Sequence, residues 1–146
     1  MPVPRLSIKA IAIGVLIDVG GSMLVGVAYV FVYAMLLASQ NVPVEDLQRR
    51  ILADPTYYVV ALALGLVFMA VGGYVAARIA RAREVTHALW VGLIAVAISV
   101  PLVAAADTSS YPSWYLPVSF ALTIPAGLVG GFVARRRTPI NAERAA

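Results

Sequence analysis

The feature that most restricts what this chain can fold into is the run of twenty-nine residues at 10–38, in which Asp18 is the only charged side chain. About twenty helical residues already cover roughly 30 Å of hydrocarbon, so the run is long enough to cross a bilayer with residues to spare. Asp18, in Gly14-Val-Leu-Ile-Asp18-Val-Gly20-Gly21-Ser22, then becomes an intramembrane acid. An aspartate at the centre of a membrane helix costs about 2.5 to 3.5 kcal/mol on insertion scales, so either the fold or the function must make it tolerable.

Three further apolar runs follow, and composition matches them. Apolar residues make up 62% of the chain and charged residues 12%, which places it outside the soluble globular class. No cysteine and a single histidine remove disulfide frameworks and the usual zinc patterns, and no metal site or cofactor is expected. The basic residues cluster at the ends of apolar runs, where membrane topology explains them, so nucleic acid is not an expected partner. The first apolar run far exceeds a signal-peptide core of about 7 to 15 residues, and it reads as a retained first span.

The runs predict an all-α fold: a four-helix transmembrane bundle in one membrane domain spanning 1–146. The helices fall at about 8–38, 56–80, 86–106 and 114–134. Residues 39–55 form the one extended polar connection. Pro43, Glu45 and Asp46 suit a helix start, and Val44, Leu47, Ile51 and Leu52 are spaced as an amphipathic helix on the outer surface, although a solvated loop fits the same residues. The tail at 138–146 is expected to be disordered. Nine of the eleven basic residues fall on one side of these spans; the outer loops hold only Arg49 and Arg50. The positive-inside rule then puts both termini in the cytoplasm of a cell inner membrane. His87 reads as an interfacial residue, and Tyr57, Tyr58, Tyr111, Trp114 and Tyr115 as an outer aromatic belt.

Val71-Gly72-Gly73-Tyr74-Val75-Ala76-Ala77-Arg78 matches Val129-Gly130-Gly131-Phe132-Val133-Ala134-Arg135-Arg136, and at the same offset Tyr57 matches Tyr115. The two hairpins therefore form a parallel repeat about an axis along the membrane normal. Gly14 and Gly21 share a face with Asp18 and Ser22; together with Gly72, Gly73, Gly130 and Gly131 they are the expected helix-packing positions. Pro125 removes one intrahelical hydrogen bond and frees a carbonyl that Asp18 could serve. Ser22, Ser99 and Thr123 are candidate supporting polar residues, and Arg78 or Arg135 could instead pair with the acid.

Two functional readings follow. One is an assembly, scaffolding or accessory subunit, with the bilayer, a second copy or a membrane complex as partner. The other is a proton-coupled small-molecule or ion transporter, with Asp18 as the proton- or cation-binding residue. The spans hold no two-carboxylate site and no Ser/His pair, so no enzyme is expected.

The Gly-Gly-aromatic-x-Ala-x-Arg ends at 72–78 and 130–136 resemble those of small, uncharacterised four-span bacterial membrane proteins, a likeness that implies architecture and no activity. Leu16-Ile-Asp18-Val-Gly20-Gly21-Ser22-Met23-Leu24 is similar to the first helix of small multidrug resistance transporters. There an acid in that helix binds protons and cationic drugs in an antiparallel dimer. The likeness covers under a tenth of the chain and carries over Asp18 alone. The family has glutamate where this chain has aspartate, shorter loops, a later aromatic pattern missing here, and dual topology, which the charge bias of this chain opposes.

Overall fold

The computed structural model describes residues 6–136. Five helices follow one another: α1 (Ile8–Ser39), α2 (Val44–Ala53), α3 (Pro55–Ala80), α4 (Glu84–Ala105) and α5 (Tyr115–Arg136). No strand occurs among the described residues. All but α2 are long and apolar enough to cross a membrane, so the chain is a multi-pass membrane protein of the helical-bundle type. The tail expected at 138–146 lies outside the described residues.

Local chemistry sets the helix ends. Ser7 caps α1, its hydroxyl accepting from the Ala10 N–H at 3.3 Å. Asp54 caps α3, accepting from the Thr56 N–H at 2.8 Å, and Pro55 takes the first helical position, where a missing N–H costs nothing. The polar connection is helical: α2 starts after Pro43 with Glu45 and Asp46 in its first turn and Arg50 in its last, each matched to the helix dipole. Ile51 is buried and Leu47 and Leu52 are half-buried, whereas Val44, expected on the same face, is exposed. Only Arg81, Ala82 and Arg83 separate α3 from α4, which makes the two antiparallel neighbours. Arg81 and Arg83 both take left-handed backbone to close that turn.

Helix α3 packs on α1, α4 and α5, and α4 packs on α1 and α5, but α1 and α5 do not meet. The bundle is thus a rhombus with α3 and α4 on its short diagonal. The two hairpins, α1–α3 and α4–α5, are not equivalent in this packing. A strict two-fold repeat pairs α1 with α5 as closely as α3 with α4.

The repeated glycine pairs each serve two neighbours. A Cβ on Gly72 would run into the Gly14 carbonyl of α1, and one on Gly14 would lie 2.7 Å from the Gly72 carbonyl. On the next face of α3, a Cβ on Gly73 would strike the Gly127 carbonyl of α5. Gly130 faces the Ala70 carbonyl, and Gly131 faces Ala88 of α4 at 2.6 Å. Gly21 lies against the Phe68 ring. At Gly14, Gly72, Gly73 and Gly130 the nearest obstacle is backbone, so those close crossings depend on glycine.

Around this seam Ile11, Met69, Ala76, Val91 and Ala95 form the buried core, in the half of the bundle that carries Ser7, Arg81 and Arg136. At this basic end His87 is 1% exposed. Its ring lies inside the bundle at that end and is not turned outward. The Ser7 N–H donates to its Nε2 at 2.9 Å, and Nδ1 lies 3.0 Å from the Arg83 carbonyl. These two contacts place the proton on Nδ1 and join the start of α1 to the start of α4.

The seam makes a sharp prediction. Gly130→Ala and Gly73→Ala, which push a methyl into backbone, should each destabilise the bundle by about 1–3 kcal/mol. Gly20→Ala and Gly26→Ala, where nothing lies within 4 Å, should be neutral or slightly stabilising. Thermal unfolding of the four variants in detergent checks the split.

Candidate functional site

Above the core the helices stand apart, and the space between them is a cavity of about 140 Å³ reached by all four spans. Asp18 enters from α1, Ser99 from α4, and Tyr115, Ser119 and Thr123 from α5; the α3 wall is aliphatic, with Leu62, Leu66 and Met69. Met69 and Ala95 belong to the buried core and form the floor. Tyr115 is the first residue of α5, so the cavity runs from mid-bundle toward the end opposite the basic clusters. Its α5 wall is a column, because residues 115, 119 and 123 recur at every fourth position on one face and rise about 12 Å.

Each serine and threonine hydroxyl on these walls is tied back to its own helix. Ser99 donates to the Ala95 carbonyl at 2.8 Å, Ser119 to the Tyr115 carbonyl at 2.6 Å, and Thr123 to the Ser119 carbonyl at 2.7 Å. This back-bonding is how a serine or threonine inside a helix satisfies its only donor. Asp18 is half-buried, and among the described residues no hydrogen bond or ion pair reaches its carboxylate. The single ion pair among those residues joins Arg49 and Asp46 within α2, so neither Arg78 nor Arg135 pairs with the acid.

Of the residues singled out by sequence, the cavity gathers Asp18, Ser99 and Thr123. Ser22, one turn beyond Asp18, has a buried hydroxyl without a partner and lies outside the cavity lining. Pro125 is exposed and does not line the cavity, so its helix break is turned away from Asp18. Gly14 and Gly72 bring α1 against α3 beside the acid: a Cβ on Gly72 would sit 3.4 Å from the Asp18 Cβ. Ser119 and the inward role of Tyr115 were not anticipated. The four-residue spacing Tyr115-x3-Ser119-x3-Thr123 was the available signal.

Aromatic rings cluster around Tyr115 at the end opposite the basic clusters. Tyr58 is fully buried and packs edge-on against Tyr57, Tyr111 and Tyr115 at 5.1 to 5.6 Å, and Tyr29 stacks on Tyr57 at 6.0 Å. The expected belt is therefore partly an interior cluster. The Tyr58 hydroxyl lies within reach of two carbonyls, Leu52 at 3.1 Å and Ser110 at 3.0 Å, which ties α2 and the α4–α5 loop to α3. The Tyr33 hydroxyl donates to the Asp54 carboxylate, fastening α1 to the start of α3.

Compared with protein-family models, with curated proteins and with solved structures, the chain matches none. Neither resemblance drawn from its motifs gains support from these comparisons.

The Tyr33–Asp54 tie has a defined pH response. The Tyr33 hydroxyl, and after it the Thr56 N–H, hold the Asp54 carboxyl below the usual carboxylate range. A lowered folded-state pKa means the tie contributes fully above the unfolded value of about 3.9 and is lost as pH falls through the folded one. Acidification below about pH 4 should therefore speed amide hydrogen exchange at the start of α3. Asp54→Asn should remove this acid response, and Tyr33→Phe should shift it to higher pH.

Proposed function

We propose that the protein binds and releases a proton at Asp18 inside the membrane, as the coupling residue of a small-molecule or ion transporter. One observation carries this reading: a carboxylate with no partner among the described residues faces a hydroxyl-lined cavity in the middle of a membrane bundle. A structural carboxylate in such a setting is normally consumed by hydrogen bonds or an ion pair, because an idle charge in low dielectric is costly. An idle one needs a proton or a cation to neutralise it. With the basic clusters on the cytoplasmic side of an inner membrane, the cavity reaches Asp18 from outside, and Met69 and Ala95 close the path inward.

The test is the protonation of the purified protein in liposomes, followed by the infrared band of a protonated carboxyl. The wild type should show a titrating band between about pH 4 and 9 that Asp18→Asn removes while helix content is retained. A carboxyl band that never titrates in this range defeats the proposal.

An assembly or accessory role is a second reading with its own observation. Along α1 an apolar groove of Met23, Gly26, Val27, Val30, Phe31 and Ala34 faces outward, and Gly26 has nothing within 4 Å. Small residues on such a face suit close approach by another helix. The natural sequence has no cysteine, so Gly26→Cys gives an unambiguous reporter. Rapid disulfide dimerisation in membranes supports pairing through α1, and a monomeric particle mass with no cross-link removes it.

A further inference from the structure

The direction of the hydrogen bonds around the cavity says what kind of ligand it accepts. A serine or threonine hydroxyl has one proton and two lone pairs. The protons of Ser99, Ser119 and Thr123 all point back to carbonyls of their own helices. What these three groups present to the cavity is lone pairs, and the Asp18 carboxylate presents nothing else. The lining is therefore rich in acceptors and carries one negative charge. It repels anions and gives a neutral acceptor no complement beyond the Tyr115 phenol. A ligand that fits brings one positive charge and several N–H or O–H donors.

Size and the remaining wall narrow the choice. About 140 Å³ is well below the roughly 300–1,000 Å³ of sites for drug-sized molecules. A divalent ion is unsuited, since hard divalent cations take several carboxylates or keep their waters, and no cluster of three acidic or histidine ligands exists among the described residues. The α3 wall of Leu62, Leu66 and Met69 offers no oxygen to complete the shell of a bare alkali ion, but it does offer contact for a short alkyl chain. Tyr115 is the one other titratable side chain on the lining; α3 and α4 contribute none.

We propose that the cavity binds a short primary ammonium cation, its three N–H donors on Asp18 and the Ser99 and Thr123 hydroxyl oxygens and its alkyl chain against α3. This rests on the reading of Asp18 as a proton-exchanging acid, because binding replaces the carboxyl proton: one proton leaves for each ammonium bound, and net charge in the cavity is unchanged.

The experiment is thermal unfolding of the full chain in detergent, at constant ionic strength, with propylammonium, sodium or tetraethylammonium chloride. Propylammonium should raise the midpoint by a few degrees at saturating concentration, while sodium and tetraethylammonium should not. Thr123→Val and Ser99→Ala, checked for native helix content and a monodisperse particle, should each weaken propylammonium by about tenfold, the equivalent of one lost charge-assisted hydrogen bond. Asp18→Asn should abolish the shift. Equal stabilisation by sodium, or by tetraethylammonium, overturns the assignment to a primary ammonium. An unchanged affinity in both hydroxyl variants overturns the ligand set. No propylammonium shift in a protein whose Asp18 carboxyl still titrates overturns this inference and leaves the proton site standing. Failure of both readouts removes the two together.

Discussion

Backbone touching backbone at Gly72 and Gly73 is the contact on which the rest of this bundle depends. In lipid, helices gain little from hiding apolar side chains from one another, since the acyl chains are equally apolar, so association rests on close van der Waals approach. α3 achieves it twice on adjacent faces, with Gly14 of α1 and with Gly127 of α5. Met69 marks where this stops. Beyond it α3 carries Leu66 and Leu62, and Gly65 has nothing within 4 Å, so it adds room instead of contact. The cavity follows from that asymmetry: one half of the bundle is drawn together by glycine and the other is held apart by leucine.

The polar chemistry of the open half is arranged so that the helices do not consume it. Ser99, Ser119 and Thr123 spend their only protons within their own helices, and the carboxylate facing them has no basic partner among the described residues. Were a threonine proton directed at Asp18 instead, the acid would be half-satisfied and the cavity would close around it. The tyrosines at the open end work in the opposite way. Tyr58 and Tyr33 reach across elements, to Leu52, Ser110 and Asp54, and stiffen the rim.

The spans, the Gly-Gly repeat and the inward face of Asp18 were legible in the sequence because each is periodic along one helix. The amphipathic connection was legible as a possible helix, and its start beside Pro43 follows from capping rules. What could not be read was azimuth between helices. Whether Thr123 or Pro125 faces Asp18 depends on the rotation of α5 about its axis, and two residues on a helix differ by about 200°. The structure turns Thr123 inward and Pro125 out. The burial of His87 is hidden for a related reason: nothing in its sequence neighbours reveals that the Ser7 N–H, eighty residues away, needs its ring. The missing α1–α5 contact was equally hidden, since a repeated motif implies a symmetry the packing does not keep.

That missing contact gives α1 its character. Ser7 joins its start to His87, and Tyr33 joins its far end to Asp54, while its middle touches α3 at Gly14 and Gly21 and leaves α5 free. Helix α1 is thus packed on α2, α3 and α4 and unopposed on the flank toward α5, whereas α3 is gripped by α1, α4 and α5. Asp18 lies on that middle stretch, directly beside the Gly14–Gly72 crossing. Any change of charge at the carboxylate therefore acts on a span with one unopposed flank, close to the crossing where α1 and α3 touch through bare backbone. The acid, the glycine crossing and the unopposed flank therefore fall together on one span.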